Sequence, residues 1–126
     1  MSSTRPSSVD PTGQDLKRLL AEDPGGAVVM LNLLKFKPGQ RAGYERYAQE
    51  IRPFLADVGG EIVYAGECST TLVAPAEHDW DAVLLVRYPS RTGFSQMVAN
   101  PDYQSITSLR TESLSSAVLQ ATVPWE

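Results

Sequence analysis

Apolar residues repeat with two periods along this chain, and the points where one period gives way to the other delimit its elements. Residues 27–36 are rich in Val, Leu and Met with Asn32 as the interruption, which predicts a central strand covered on both sides, closed by Lys37-Pro38-Gly39. Over residues 41–58, Tyr44, Tyr47, Ala48, Ile51, Leu55 and Val58 recur at spacings of three and four. That is an amphipathic helix lying on a sheet, kinked where Pro53 removes a backbone donor. Gly59-Gly60 ends it, after which Ile62, Tyr64, Gly66 and Cys68 alternate along a second strand extending toward Val73. Residues 75–79 read as a polar loop, and 80–88 as a third, buried strand stopped by Pro89.

Ser90 is placed to cap a helix whose buried side is Phe94, Met97 and Val98. Asn100-Pro101 repeats the cap-plus-proline start and launches a helix with Tyr103, Ile106, Leu109, Arg110 and Leu114 mostly on one face. Residues 118–123 supply the last strand. Ahead of the first strand, Asp10 and Pro11 are expected to cap and start a short helix carrying Leu16, Leu19 and Leu20, ended by Asp23-Pro24-Gly25-Gly26. Residues 1–9 contain four serines and no apolar period, and are expected to form a flexible arm. Residues 10–126 then make a single domain with a leading short helix.

Strand, helix, strand, strand, helix, strand is the split βαβ order. It predicts an α+β protein, a ferredoxin-like βαββαβ sandwich with a four-stranded antiparallel sheet. With both helices on one side, the other sheet face carries Val, Leu and Tyr side chains whichever alternation is chosen. A homodimer that pairs two sheets face to face covers that surface.

Composition narrows the partners. Eleven Lys and Arg against fifteen Asp and Glu give a net charge of -4, with the basic residues scattered, so no nucleic acid is expected. The longest apolar run is too short to cross a bilayer, and the amino terminus lacks the apolar core of a secretory signal, so no membrane and a cytoplasmic location are expected. Cys68 is the single cysteine, which excludes an internal disulfide and reads as a small packed side chain. His78 is also alone, and no ligand spacing accompanies it, so neither a metal site nor a cofactor is expected.

Several motifs coincide: Val29-Met30-Leu31-Asn32-Leu33-Leu34-Lys35-Phe36, Tyr44 with Tyr47, Gly59-Gly60, Trp80-Asp81, Tyr88-Pro89-Ser90, Phe94 with Met97, and Asn100-Pro101-Asp102-Tyr103 leading to Arg110. As a set they resemble the DUF1330 family of uncharacterised proteins, in the dimeric α+β barrel superfamily, over residues 24–122. The resemblance implies a ferredoxin-like protomer and a dimer whose two sheets form a barrel; it supplies no reaction. Better understood superfamily members are cofactor-independent monooxygenases of polyketide quinols, lactone isomerases, polyketide cyclases and haem-using enzymes, which share a cavity between sheet and helices. No relative's catalytic motif matches here position by position, so no catalytic residue is carried over.

Candidate ligand-binding residues follow from chemistry. Asn32 is an amide in an apolar strand, able to complete its hydrogen bonds with a ligand or with neighbouring backbone. Arg87 can hold a carboxylate or enolate through its planar fork, or pair with Glu67 or Asp81. Tyr103 and Arg110, seven apart, project from one helix side; Arg110 either anchors an anionic ligand or lays its stem on the core and bonds groups at the rim. Tyr44, Tyr47 and Tyr64 offer aromatic walls with phenolic tips, or plain core packing. His78, between Glu77 and Asp79, reads as solvated. Two function classes remain. One is a small-molecule-binding homodimer acting as a cofactor-independent monooxygenase, isomerase or cyclase on a small aromatic, lactone or polyketide-like compound. The other is a non-catalytic ligand-binding or accessory dimer.

Overall fold

The first strand, β1 (Val28–Phe36), organises the molecule because it is paired along both edges. The computed structural model describes residues 9–125, so most of the expected arm, residues 1–8, lies outside the described residues. β1 runs antiparallel to β3 (Ala82–Tyr88) on one side and to β4 (Leu114–Thr122) on the other, and β2 (Glu61–Glu67) pairs with the far edge of β3. The strand order is β2-β3-β1-β4, the antiparallel ferredoxin-like arrangement that the element order predicts.

Alternation along β1 sorts the two faces. Val28, Met30, Asn32 and Leu34 are buried, whereas Val29, Leu31 and Leu33 are only half-buried. Direct neighbours carry each face across the sheet: Met30 meets Val86 and Ala121, and Asn32 meets Leu84 and Leu119. Only that face is covered by helices. Its core joins β1 to Tyr44, Tyr47, Ile51 and Leu55 from one helical layer and Phe94, Met97 and Val98 from the other.

Local signals account for the helix boundaries. The expected kinked helix is two helices, α2 (Arg41–Glu50) and α3 (Arg52–Asp57), with Pro53 in the first turn of α3, where its missing N–H breaks no intrahelical bond. Ser90 Oγ accepts from the Gly93 amide at 3.0 Å to start α4 (Arg91–Ala99). Asn100 Oδ1 accepts from the Asp102 amide at 2.8 Å to start α5 (Pro101–Gln104).

Five expectations require correction. The leading helix, α1 (Gly13–Ala21), is capped by Thr12 and not by Asp10, because Thr12 and Asp15 form a reciprocal capping box with bonds of 3.1 and 2.8 Å. The helix after Asn100 is not continuous: α5 gives way to α6 (Thr107–Ser113), and Leu114 belongs to β4. The last strand therefore starts at residue 114, four residues earlier than expected, and the third starts at Ala82. The second strand does not extend toward Val73; it ends at Glu67, leaving Cys68 exposed and Leu72 and Val73 in an exposed loop. Finally, a register shift between Ile62 and Tyr64 breaks the expected alternation. Ile62 opposes Val86 on the covered face, but Tyr64 opposes Leu85 on the open one.

Leu34 is fully buried at the crossing of sheet and helices, while Leu72 is 89% exposed. Leu34→Ala is expected to cost about 2–5 kcal/mol and Leu72→Ala under about 0.5 kcal/mol in chemical denaturation. Equal costs would contradict this placement of the core.

Candidate functional site

Strand parity and helix period aim a set of polar side chains into the same apolar layer. Asn32 comes from the covered face of β1, Tyr88 from the end of β3, Tyr44 and Tyr47 from α2, Tyr103 from α5, and Arg110 from α6. They line an internal cavity whose remaining walls include Met30, Ile51, Leu84, Phe94 and Leu119. The space open to the centre of a water molecule is about 60 Å³. One water needs roughly 10–15 Å³ on that measure, so the cavity holds a few waters or a compact organic molecule.

Arg110 is the electrostatic centre, at 4% exposure. Its Nη1 donates to Asp10 Oδ1 at 2.7 Å and to the Val9 carbonyl, joining α6 to the segment before α1. Thr111 Oγ1 donates to the other Asp10 oxygen at 2.5 Å. Arg110 Nη2 is buried and has no hydrogen-bond partner among the described residues. A buried guanidinium is costly unless paired, so Asp10 compensates the charge while leaving one donor uncommitted.

Around this cation stand four buried tyrosines. Tyr47 Oη and Tyr103 Oη are 2.6 Å apart. Whichever hydroxyl donates in that bond, the other proton finds no acceptor among the described residues. Among the described residues, no protein group accepts from Tyr44 or Tyr88 either. The rings pack edge to face: Tyr47 on Tyr103 with centroids 6.4 Å apart, and Tyr88 on Phe94 at 5.0 Å.

Burial is the largest cause holding all four phenols in the neutral form. It pushes Tyr44 up to about 12 and raises Tyr47, Tyr88 and Tyr103 as well, while Arg110 pulls each of them partly back. All four tyrosines line the same cavity as Arg110. At neutral pH the cavity therefore presents donors: three uncommitted phenolic protons and Arg110 Nη2. Acceptors are few. Asn32 makes one long bond, Nδ2 to the Met30 carbonyl at 3.4 Å, and Asp10 is the one carboxylate in the lining.

Of the seven residues singled out from sequence, Asn32, Tyr44, Tyr47, Tyr103 and Arg110 come together here. Tyr64 and Arg87 do not. Tyr64 is displaced to the open sheet face by the register shift and is 55% exposed. Arg87 lies between the covered residues Val86 and Tyr88, and so projects from the open face. Its suggested partners are engaged elsewhere: Glu67 with Arg41 at 2.7 Å, and Asp81 with the Phe36 amide at 2.9 Å. His78 sits in an exposed loop. Tyr88 and Asp10 were not singled out as site residues. Tyr88 was detectable, since it shares strand parity with Ala82, Leu84 and Val86. Among the described residues, no three His, Cys, Asp or Glu side chains converge as a metal site would require, and no helix is long and apolar enough to cross a membrane.

The sequence pattern of DUF1330, a domain of unknown function, matches residues 31–121. The chain belongs to the DUF1330 family. Five of the cavity's polar residues, Asn32, Tyr44, Tyr47, Tyr103 and Arg110, fall inside the matched span, whereas Asp10 and α1 precede it. Among solved structures, this DUF1330 chain is similar to a protein of unknown function from Rhodopseudomonas palustris, with 26% identity, coverage of 95% of this chain and 98% of that one, and a TM-score of 0.87. It also shares its fold with SnoaB, a cofactor-independent oxygenase from Streptomyces nogalater, at 15% identity, 81% and 96% coverage and a TM-score of 0.57. A dimeric ferredoxin-like protein of unknown function from Thermobifida fusca matches at 13% identity, 80% and 93% coverage and a TM-score of 0.53. No curated protein matches the chain.

The raised tyrosines set a pH dependence. Below pH 10, near the ordinary phenol value, all four are neutral in both folded and unfolded chains and contribute their full stability. As pH rises past that point the unfolded phenols ionise first, so stability falls and keeps falling through the folded values, about 12 for Tyr44. Denaturation midpoints are expected to drop above pH 10, less steeply in Tyr44→Phe, with phenolate absorbance appearing together with unfolding. A flat midpoint through that range would contradict the burial of these phenols.

Proposed function

We propose that this DUF1330 protein is a homodimer that binds one small, acceptor-bearing organic molecule in the cavity of each subunit. The observation that carries the reading is the donor surplus: buried donors without acceptors are costly, and a carbonyl, lactone or carboxylate oxygen placed among Tyr47, Tyr103 and Arg110 would satisfy them. Asn32 and the aromatic walls would orient the remainder of the molecule. The size of the cavity favours a single ring over a polyketide-sized skeleton, which calls for roughly 300–1,000 Å³.

The chemistry such a site can supply is stabilisation of negative charge on oxygen. Neutral phenols and a guanidinium fixed in a water-poor pocket are suited to polarise a carbonyl or hold an enolate. That supports a cofactor-independent isomerase or oxygenase acting on a small aromatic or lactone; the structurally similar SnoaB is a cofactor-independent oxygenase. The alternative, a ligand-binding protein without turnover, is favoured by one feature. Asp10, the one candidate base in the lining, is already bonded to both Arg110 and Thr111.

Dimerisation is supported by the open sheet face, where Val29, Leu31, Leu33, Val83, Leu85 and Tyr64 lie without covering helices. Similar structures are described as dimeric. A second copy would cover this surface with its own.

Calorimetric titration with acetophenone and δ-valerolactone tests the site. Binding is expected in the wild type and to weaken about tenfold in Tyr103→Phe, with a stability loss near 1 kcal/mol. Unchanged affinity in that variant would remove the phenolic pair from the reading. Sedimentation tests the assembly: a two-chain species is expected, and Leu33→Asp should convert it to single chains, whereas a single-chain wild type at every concentration would rule out the dimer.

A further inference from the structure

α1 is held down in an unusual way. It has no fully buried residue, and Leu16 and Leu19 are only half-buried, so apolar packing is a weak part of its attachment. Two buried arginines grip its ends instead. Arg110 holds Val9 and Asp10 ahead of it. Arg91, 8% exposed, donates from Nη1 to the Leu19 carbonyl at 3.0 Å and lies 3.8 Å from Asp23 behind it.

Beneath α1, between it, α4 and β4, runs a cleft of about 650 Å³. Asp10, Pro11, Met30, Phe94 and Leu119 line both this cleft and the inner cavity. The segment at Asp10 and Pro11 is thus a partition between a roomy outer space and the small inner one.

We infer that Asp10 is a built-in stand-in for the carboxylate of the ligand, and that an organic monoanion displaces it from Arg110 and loosens α1 over the cleft. This rests on the small-molecule reading above and narrows it to anions. Asp10 uses one arm of the guanidinium fork, and Nη2 stays empty beside it. A ligand carboxylate that spans both Nη atoms makes the bidentate pair that Asp10 leaves incomplete. Two carboxylates on one buried arginine leave a net negative charge in a poorly solvated place, so arrival of the ligand anion favours departure of Asp10. Once Asp10 leaves, the front end of α1 loses its ion pair and keeps the Val9 carbonyl on Arg110, while Arg91 still tethers the back end. The helix then hinges open and does not detach. The same exchange accounts for the size difference of the two spaces: the inner cavity takes the ring, and the cleft takes the displaced segment.

Benzoate and its neutral isostere benzamide separate this inference from the reading beneath it. In the Asp10→Asn variant, benzoate affinity is expected to rise about tenfold over wild type, while benzamide affinity changes less than about twofold. In the wild-type protein, benzoate is expected to speed hydrogen exchange at the backbone amides of residues 12–22, and benzamide is not. The exchange measurement needs no variant and decides the matter if Asp10→Asn fails to fold. If both compounds bind but benzoate gains nothing from the substitution and leaves α1 exchange unchanged, the stand-in role is overturned and the binding site survives. If neither compound binds, nor acetophenone nor δ-valerolactone, the site itself falls and this inference with it.

Discussion

The constraint on which the rest depends is that one sheet has two faces and this chain supplies helices for one. Pairing β1 on both edges satisfies its backbone, and alternation then forces every second side chain toward or away from the helices. The covered face gets the core, the cavity and the buried tyrosines. The open face gets valines and leucines with no helix above them, together with Arg87 and Tyr64. Such an apolar surface is retained when a partner buries it, so the proposed dimer and the candidate site would both arise from the same alternation.

Within the covered layer the decisive charge is Arg110. At 4% exposure it sits where an unpaired cation would be costly by several kcal/mol, and its counter-charge comes from 100 residues away in sequence. That pairing fixes the approach of the leading segment, closes one end of the cavity with Asp10 and Pro11, and gives the tyrosine hydroxyls a positive neighbour. Asp10 thus serves stability and site geometry at once. α1, attached mainly through polar contacts at its ends, belongs among the low-stability parts of the fold, the class from which moving elements are drawn.

Much of this was legible because it is written in local patterns. The apolar run of β1, the three-and-four spacing of Tyr44, Tyr47, Ile51 and Leu55, the proline break, and the Ser90 and Asn100 caps each depend on a few neighbouring residues. The order of those elements is enough for the ferredoxin-like topology and for the convergence of Asn32, Tyr47, Tyr103 and Arg110. What failed depends on competition or on distance. Asp10-Pro11 has the form of a cap, but the Thr12–Asp15 box satisfies the same amides better and leaves Asp10 for Arg110. A single inserted residue near Val63 reverses the parity of Tyr64, and a period-two pattern carries no mark of such a bulge. One trace survives: a side chain at Gly66 would lie 2.5 Å from Tyr64 Oη, so the small residue makes room for the ring that folds across it. Arg87 could have been placed correctly, since its parity is opposite to that of Val86 and Tyr88.

The chemistry of the site follows from counting donors against acceptors more than from any motif. Phenols kept neutral by burial cannot serve as bases near pH 7, but they remain donors there, and a guanidinium is a donor at every accessible pH. Water can satisfy such groups in the resting protein. A ligand oxygen satisfies them better only if it brings more negative charge or a better-fixed position than the waters it displaces. On the proposed reading, that condition would select small carbonyl and carboxylate compounds over hydrocarbons of the same size. A cavity mostly apolar in its walls would then still discriminate, because the few polar groups it contains all demand the same kind of partner.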